Sequence, residues 1–247
     1  TRPGDRDCAG LCGAHGRFMR LIIALLLCLA GPGFAQVAGL NPGPDPRLPV
    51  PAAYPPWHAV ALIEAEGAGL CTGAMVAPAV VLTAAHCLKD EAGTALLPPA
   101  RIRVTLGGHE ARGVALRVGA GFDPAREAPW ASDWALVSLS APIGAGRVLP
   151  LAREAAPERS ILALPGFQRD APGALLVDPA CRYLGLRRIE GEGVMLAHDC
   201  AGTTGSSGGP LLLRGRAGGF AIMGVQSKGI LGRAGGLAVP ALVIPKP

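Results

Sequence analysis

Past residue 57 the chain never sustains an apolar stretch for long. Segments such as "HAVALIEA" (58–65), "GAMVAPAVVLTAA" (73–85), "RIRVTLGG" (101–108), "GVALRVGA" (113–120), "WALVSLS" (134–140) and "ILALPGF" (161–167) recur between glycine and proline breaks. "CRYLGLRRIE" and "VMLAHDC" flank a turn at 191–193, and "PLLL" (210–213), "FAIMGVQSKG" (220–229) and "LAVPALVI" (237–244) follow. Short strands at near-regular spacing with turn signals predict an all-β barrel or sandwich, and no amphipathic helical pattern interrupts them. The segments divide near residue 150. At 247 residues, half of them hydrophobic, the chain has material for one large core or two small ones. Aromatics make up 4%, so that core must be built from Val, Leu, Ile and Ala. The formal charge of +5 is dispersed, and the one adjacent basic pair in the body is Arg187-Arg188. A nucleic-acid partner would call for a clustered basic face and is not expected.

The first residues read as an address. "RFMRLIIALLLCLAGPGFAQ" (17–36) sets Arg17 and Arg20 before an apolar run from Leu21 to Ala30, then a Gly-Pro-Gly break and small residues to Ala35. This is the layout of an export signal, with residues 1–35 removed by cleavage after Ala35 and Met19 as the true start. The run is about half the length of a membrane span, so no stable membrane association is expected after cleavage. A secreted or periplasmic location follows. Residues 36–56 are proline-rich and read as an extended lead-in, in which Arg47 is a trimming point whose replacement should leave activity intact. Removing Cys8, Cys12 and Cys28 leaves Cys71, Cys87, Cys181 and Cys200. An even number in an exported chain suggests disulfides, and four cysteines allow three connectivities. Proximity favours Cys71–Cys87 and Cys181–Cys200. No C-x-x-C spacing accompanies His86 or His198, so no metal is expected.

Three stretches carry candidate chemistry. "VVLTAAHCL" (80–88) leads a β-branched run into His86, "ASDWALVSL" (131–139) places Asp133 before a strand, and "AGTTGSSGGPLLL" (201–213) sets Ser206 and Ser207 among glycines. Each alone has an ordinary reading: a strand-end histidine, a turn aspartate, a flexible linker. Together they suit one task. A serine hydroxyl needs a base within reach, imidazole can take and return a proton near neutral pH, and a carboxylate can fix its tautomer. Glycines before the serine allow backbone N–H groups to converge on a developing oxyanion.

"LTAAHC", "SDWALVSL" and "GSSGGPL", in the order His–Asp–Ser, resemble the chymotrypsin-like serine endopeptidases over roughly 52–244. The resemblance implies an all-β fold of two six-stranded Greek-key barrels with the active site between them. An N-terminal barrel (57–150) would carry His86 and Asp133, and a C-terminal barrel (151–247) would carry Ser207. His86 becomes the general base, Asp133 its orienting carboxylate and Ser207 the nucleophile, with the N–H groups of Gly205 and Ser207 as the oxyanion hole. Ser227 would hydrogen-bond Asp133 and line the cleft, Gly229 would lie beside an extended peptide, and Ala201, Gly202 and Thr203 would form the base of the specificity pocket. The implied partner is a polypeptide substrate cut by a monomer without a cofactor. A catalytically silent binding module on the same fold is the alternative.

Three departures point to an exported bacterial branch that includes the V8-type glutamyl endopeptidases. Ser206 stands where trypsin has aspartate, Cys200 lies seven residues before Ser207, and "AVPALVIPKP" replaces a C-terminal helix. Gln226 occupies the position where that branch has a glutamate-binding histidine. No acid sits at 201–203, so a neutral residue at the cleavage site is expected. In the trypsin branch a freed N-terminal ammonium pairs with the aspartate before the nucleophile and orders the oxyanion hole. Ser206 has no charge to offer, so the hole is expected to form without a new N-terminus, with Asp199 as the substitute partner should one be needed.

Overall fold

The computed structural model describes residues 39–215 and 218–247. The expected export signal, its cleavage site and Cys8, Cys12 and Cys28 lie outside the described residues. The lead-in contributes β1 (Leu48–Pro49). The first barrel then comprises β2 (Val60–Ala65), β3 (Gly69–Ala77), β4 (Val80–Thr83), β5 (Ile102–Leu106), β6 (His109–Val118) and β7 (Ala135–Leu139). The second comprises β8 (Ile161–Phe167), β9 (Leu175–Ile189), β10 (Gly193–His198), β11 (Pro210–Arg214), β12 (Phe220–Gly229) and β13 (Gly236–Pro240).

Both barrels have the same winding. The first closes as β2-β3-β4-β7-β6-β5 and the second as β8-β9-β10-β13-β12-β11, every pairing being antiparallel. Alternation decides which side chains fill them. In β5, Ile102, Val104 and Leu106 are buried while Arg103 and Thr105 are half-buried; in β2, Ile63 and Ala65 point in and Glu64 does not. The buried set is almost all Val, Leu, Ile, Ala and Met, with Trp134 and Tyr183 its aromatic members.

Two elements differ from the sequence reading. The apolar run 73–85 is two strands, β3 and β4, because Pro78 has no N–H for the ladder and the chain turns there. Strand β9 begins well before Cys181. Pro179 concealed it, and the register against β8 jumps between Leu162–Cys181 and Leu164–Asp178, leaving Pro179 and Ala180 in an exposed bulge.

The lead-in is no free linker. Leu48 and Pro49 pair with Val177 and Leu176 of β9, and Val50 N–H donates to Leu175 O at 3.0 Å. Among the described residues two disulfides form: Cys71–Cys87, joining β3 to the turn that carries His86, and Cys181–Cys200, joining β9 to the chain after β10.

Candidate active site

β4 delivers its chain through extended Ala84 into a short 3-10 turn, Ala85–Leu88, in which Ala85, Cys87 and Leu88 are buried and His86 is left facing outward. The Cys71–Cys87 bridge pins that turn from below. Across the rim, the 3-10 turn Trp130–Ser132 ends in Asp133, whose side chain is wholly buried. Its carboxylate accepts three hydrogen bonds. Oδ1 accepts the His86 backbone N–H at 2.9 Å, and Oδ2 accepts His86 Nδ1–H at 2.7 Å and the Ser227 hydroxyl at 2.5 Å. Burial pushes the Asp133 carboxyl up, but the His86 ring, the Ser227 hydroxyl and the His86 amide outweigh it, and its pKa lies below the usual range. An ionised carboxylate can only accept, so the neutral imidazole carries its proton on Nδ1 and turns the Nε2 lone pair to the cleft. The Cys87 sulfur lies 3.9 Å from Nε2. Cys71, His86 and Cys87 together have metal-like proximity, yet both sulfurs are spent in the disulfide and offer no thiolate.

The 201–209 loop supplies Ser207. It contains no regular element and is held by single bonds. Thr72 N–H donates to Ser207 O at 2.8 Å, while Thr72 Oγ1 donates to Gly205 O at 2.8 Å and accepts Phe167 N–H at 2.9 Å. Thr83 Oγ1 in turn donates to Thr72 O at 2.7 Å. Thr72, on the first barrel, thus ties the loop of the second in place. The sequence reading missed it, and its adjacency to Cys71 is the single local hint. Gly205 has φ +104°, and a Cβ there would meet Phe167 O at 2.5 Å, so only glycine fits. The Thr204 carbonyl accepts Arg169 N–H at 2.9 Å. Because a trans peptide points its C=O and N–H oppositely, that bond turns Gly205 N–H the other way, toward the cleft. Among the described residues neither Gly205 N–H nor Ser207 N–H donates to the protein, and the Ser207 hydroxyl has no partner. Ser207, His86 and Gly205 share an open cleft of about 330 Å³. Its rim carries Glu127, which bridges Lys89 and Lys228. Burial alone would raise Glu127, but the two ammonium groups and His86 lower it to about 2. This cluster also escaped the sequence reading.

Beside Ser207 lies a second cavity of about 250 Å³, bordered by Gly202, Thr203, Ser206, Gln226, Gly229 and Ile230, with no ionisable side chain in its lining. Ala201 is not part of that lining. It is fully buried behind the wall, with its N–H on Asp178 Oδ2 at 2.8 Å. Ser206 is packed against Gly166 and Gly202, where an added Cβ would approach its own Cβ to 3.3 and 3.2 Å. Gln226 is oriented from behind. Cys200 N–H donates to His198 Nδ1 at 3.1 Å, so the proton of His198 sits on Nε2 and is donated to Gln226 Oε1 at 2.6 Å. The Gln226 amide nitrogen is left to face Lys228 O, 3.3 Å away, at the cavity wall. His198 is fully buried, and desolvation lowers its pKa to about 4.

Two expectations are corrected here. Asp199 is exposed and accepts Arg182 N–H at 2.5 Å, away from the nucleophile loop, so it is no substitute partner for it. Arg47 is not an exposed trimming point. Its side chain is 3% exposed and is held by two carboxylates, Asp45 and Asp170.

Several solved structures share this fold. A Glu endopeptidase structure is 20% identical and superposes with a TM-score of 0.61 over 82% of this chain and 94% of its own. The Rv3671c protease from M. tuberculosis, in its active form, is 19% identical with a TM-score of 0.56 over 78% and 83%. A mutant of human heparin binding protein (CAP37) is 17% identical with a TM-score of 0.61 over 80% and 91%. At these identities the likeness establishes the chymotrypsin-like fold. Among curated proteins, the peroxisomal leader peptide-processing protease of Mus musculus is 30% identical over 188 residues, 74% of this chain. The chain spans 31% of that protease's length. The model of the trypsin-like peptidase domain matches residues 71–218, from Cys71, the β3 partner of the disulfide at the His86 turn, to beyond the 201–209 loop. By that match, the chain belongs to the trypsin-like peptidase domain family.

Proposed function

We propose that this protein is an exported serine endopeptidase that cleaves peptide bonds through an acyl-enzyme. The N-terminal barrel (57–150) supplies the base and its carboxylate, and the C-terminal barrel (151–247) supplies the nucleophile. His86 Nε2 takes the proton from Ser207 Oγ as Oγ attacks the scissile carbonyl. Asp133 holds the ring in the tautomer with Nε2 free and stabilises the imidazolium, and Gly205 and Ser207 N–H groups receive the oxyanion. The imidazolium then protonates the leaving amine, and a water attacks the ester by the reverse sequence. The observation that carries this reading is the Asp133 carboxylate, wholly buried and taking three donors, two of them from His86. That geometry supports an Nε2 lone pair available to the cleft shared with Ser207. Catalytic hydrogen bonds of this kind often tighten only when substrate is bound, so a direct Ser207–His86 bond is expected in the substrate complex.

The cavity beside Ser207 is the pocket for the residue preceding the cut. A neutral side chain suits its lining, and the Gln226 amide offers that side chain a hydrogen-bond donor where a glutamate-selective enzyme would offer imidazole. Both disulfides accord with an oxidising compartment outside the cytosol. A silent binding module remains the second reading, favoured by the partnerless Ser207 hydroxyl and by a fold neighbour named for heparin binding. A fluorophosphonate probe separates the two, since it labels only an activated serine. Labelling should map to Ser207, vanish in Ser207→Ala and persist in Ser206→Ala. An unlabelled, folded wild-type protein would defeat the peptidase reading.

A further inference from the structure

We propose that Arg47 is a positioning residue for the oxyanion site: a buried guanidinium, supplied by the lead-in, that orders the turn presenting Gly205 N–H. The proposal rests on the peptidase reading for its kinetic consequences, though not for its structural one. A cation as buried as Arg47 is tolerated only when its donors are matched. Here they are. Nε donates to Asp45 Oδ1 at 3.0 Å, and Nη2 donates to Asp45 Oδ2 at 2.7 Å and Asp170 Oδ2 at 2.6 Å. Nη1 reaches Gln168 Oε1 at 2.5 Å and Thr203 Oγ1 at 3.1 Å. One planar fork therefore joins the lead-in, the turn after β8 and the nucleophile loop.

From Thr203 the constraint passes to Gly205 in two short steps. Thr203 N–H donates to Gln168 Oε1 at 2.6 Å and Thr203 Oγ1 donates to Asp170 Oδ1 at 2.7 Å, so Thr203 is gripped at both ends. Its carbonyl accepts Ser206 N–H at 3.0 Å. Arg169, which sits between the two residues Arg47 holds, donates the N–H that fixes the Thr204 carbonyl. Without that grip the Thr204–Gly205 peptide is free to rotate, and rotation puts a carbonyl where the oxyanion requires a donor. Gln168 is oriented by this arrangement: its Oε1 faces Arg47 Nη1 and Thr203 N–H, and its buried Nε2 meets no partner among the described residues.

The lead-in is also fastened upstream of Arg47. Gly202 N–H donates to Gly39 O at 3.1 Å, and Ala234 N–H donates to Asn41 Oδ1 at 3.1 Å. Gly39 has φ +89°, and a Cβ there would lie 2.0 Å from Gly202 O. The backbones touch at a spot where no other residue fits. Ser206, uncharged and packed between glycines, makes no demand for a buried ammonium; the positive charge enters instead from the side, as a guanidinium within the chain.

The test compares wild type, Arg47→Met, Arg47→Lys and Asp170→Asn in the full chain. It reads kcat and KM on a peptide substrate, the rate of fluorophosphonate labelling at Ser207, and hydrogen exchange of the 201–210 backbone. Loss of an oxyanion donor costs about 10²–10³ in kcat. Arg47→Met should approach that loss, with KM changed no more than about five-fold, labelling slowed in parallel and loop exchange accelerated. Arg47→Lys, a point charge without the fork, should recover part of it. Should Arg47→Met fail to fold, Asp170→Asn, which keeps shape and removes one anchor, should still lower kcat about ten-fold and speed exchange. A folded Arg47→Met with wild-type kcat and unchanged exchange overturns the proposal, as does a loss confined to KM. A wild-type protein that the probe does not label sinks the peptidase reading, and loop exchange in Arg47→Met then still decides whether Arg47 orders the loop.

Discussion

The two halves of the candidate site are held by opposite kinds of force. His86 and Asp133 sit on short turns directly capping strands β4 and β7, above a core of Ala, Val, Leu and Ile and beside a disulfide. Packing and the disulfide place the two turns, and two hydrogen bonds from His86 to Asp133 close the distance between them. The Ser207 half is a loop without regular structure, fixed by Thr72, Gln168, Asp170 and Arg47 and by glycines that take conformations others cannot. Directional bonds and one buried charge set its shape. The first half should resist any change that spares the core, and the second should respond to the loss of a single polar contact.

The sharpest way to break this contrast is Asp133→Asn. If geometry on the first side is set by packing, the fold should survive while the imidazole adopts the wrong tautomer, and kcat should fall about 10⁴-fold. Steady-state kinetics beside a melting curve would check it. A comparable loss of stability would mean that the carboxylate, not the core, holds this rim.

Removing the Cys71–Cys87 bridge as a double alanine variant tests the packing side from below. Closing a loop of this size is worth about 3 kcal/mol in a chain-entropy account, so the melting temperature should drop by several degrees. Kinetic constants measured well below melting should change far less than in Arg47→Met. An equal kinetic loss would erase the distinction between the halves.

The mildest effect concerns His198. Its folded pKa of about 4 lies below the ordinary 6.5, so the folded state binds the proton less readily than the unfolded chain. Stability is therefore complete above about pH 6.5 and is lost as pH falls toward 4, by up to about 3 kcal/mol. In His198→Gln that part of the acid slope should disappear, as denaturant midpoints between pH 7 and 4 would reveal. The Gln226 amide, released from its donor, should also discriminate less among residues preceding the cut.

Legibility followed the same divide. The His86, Asp133 and Ser207 stretches could be read because each is a contiguous motif, and the strands because alternation is local. Both disulfides followed from proximity. What stayed hidden depends on distance: Arg47 meets Gln168, Asp170 and Thr203 across 121, 123 and 156 residues. A proline-rich stretch looks like a spacer whatever its one arginine touches. Thr72 gave no signal beyond its place next to Cys71, since a threonine in a strand is ordinary until its hydroxyl is seen to cross a seam. Pro179 misled because a bulge tolerates what a ladder does not.

Thr72 has a consequence for the working range of the protein. Its amide and hydroxyl bond the first barrel to the nucleophile loop, so the gap between His86 and Ser207 depends on the seam as well as on each barrel. On the peptidase reading, warming that loosens the seam should part His86 from Ser207 while both barrels remain folded. Heat should then abolish probe labelling at Ser207 below the melting temperature, with the Thr72 bonds and the Ser227–Asp133 bond among those whose loss decides where.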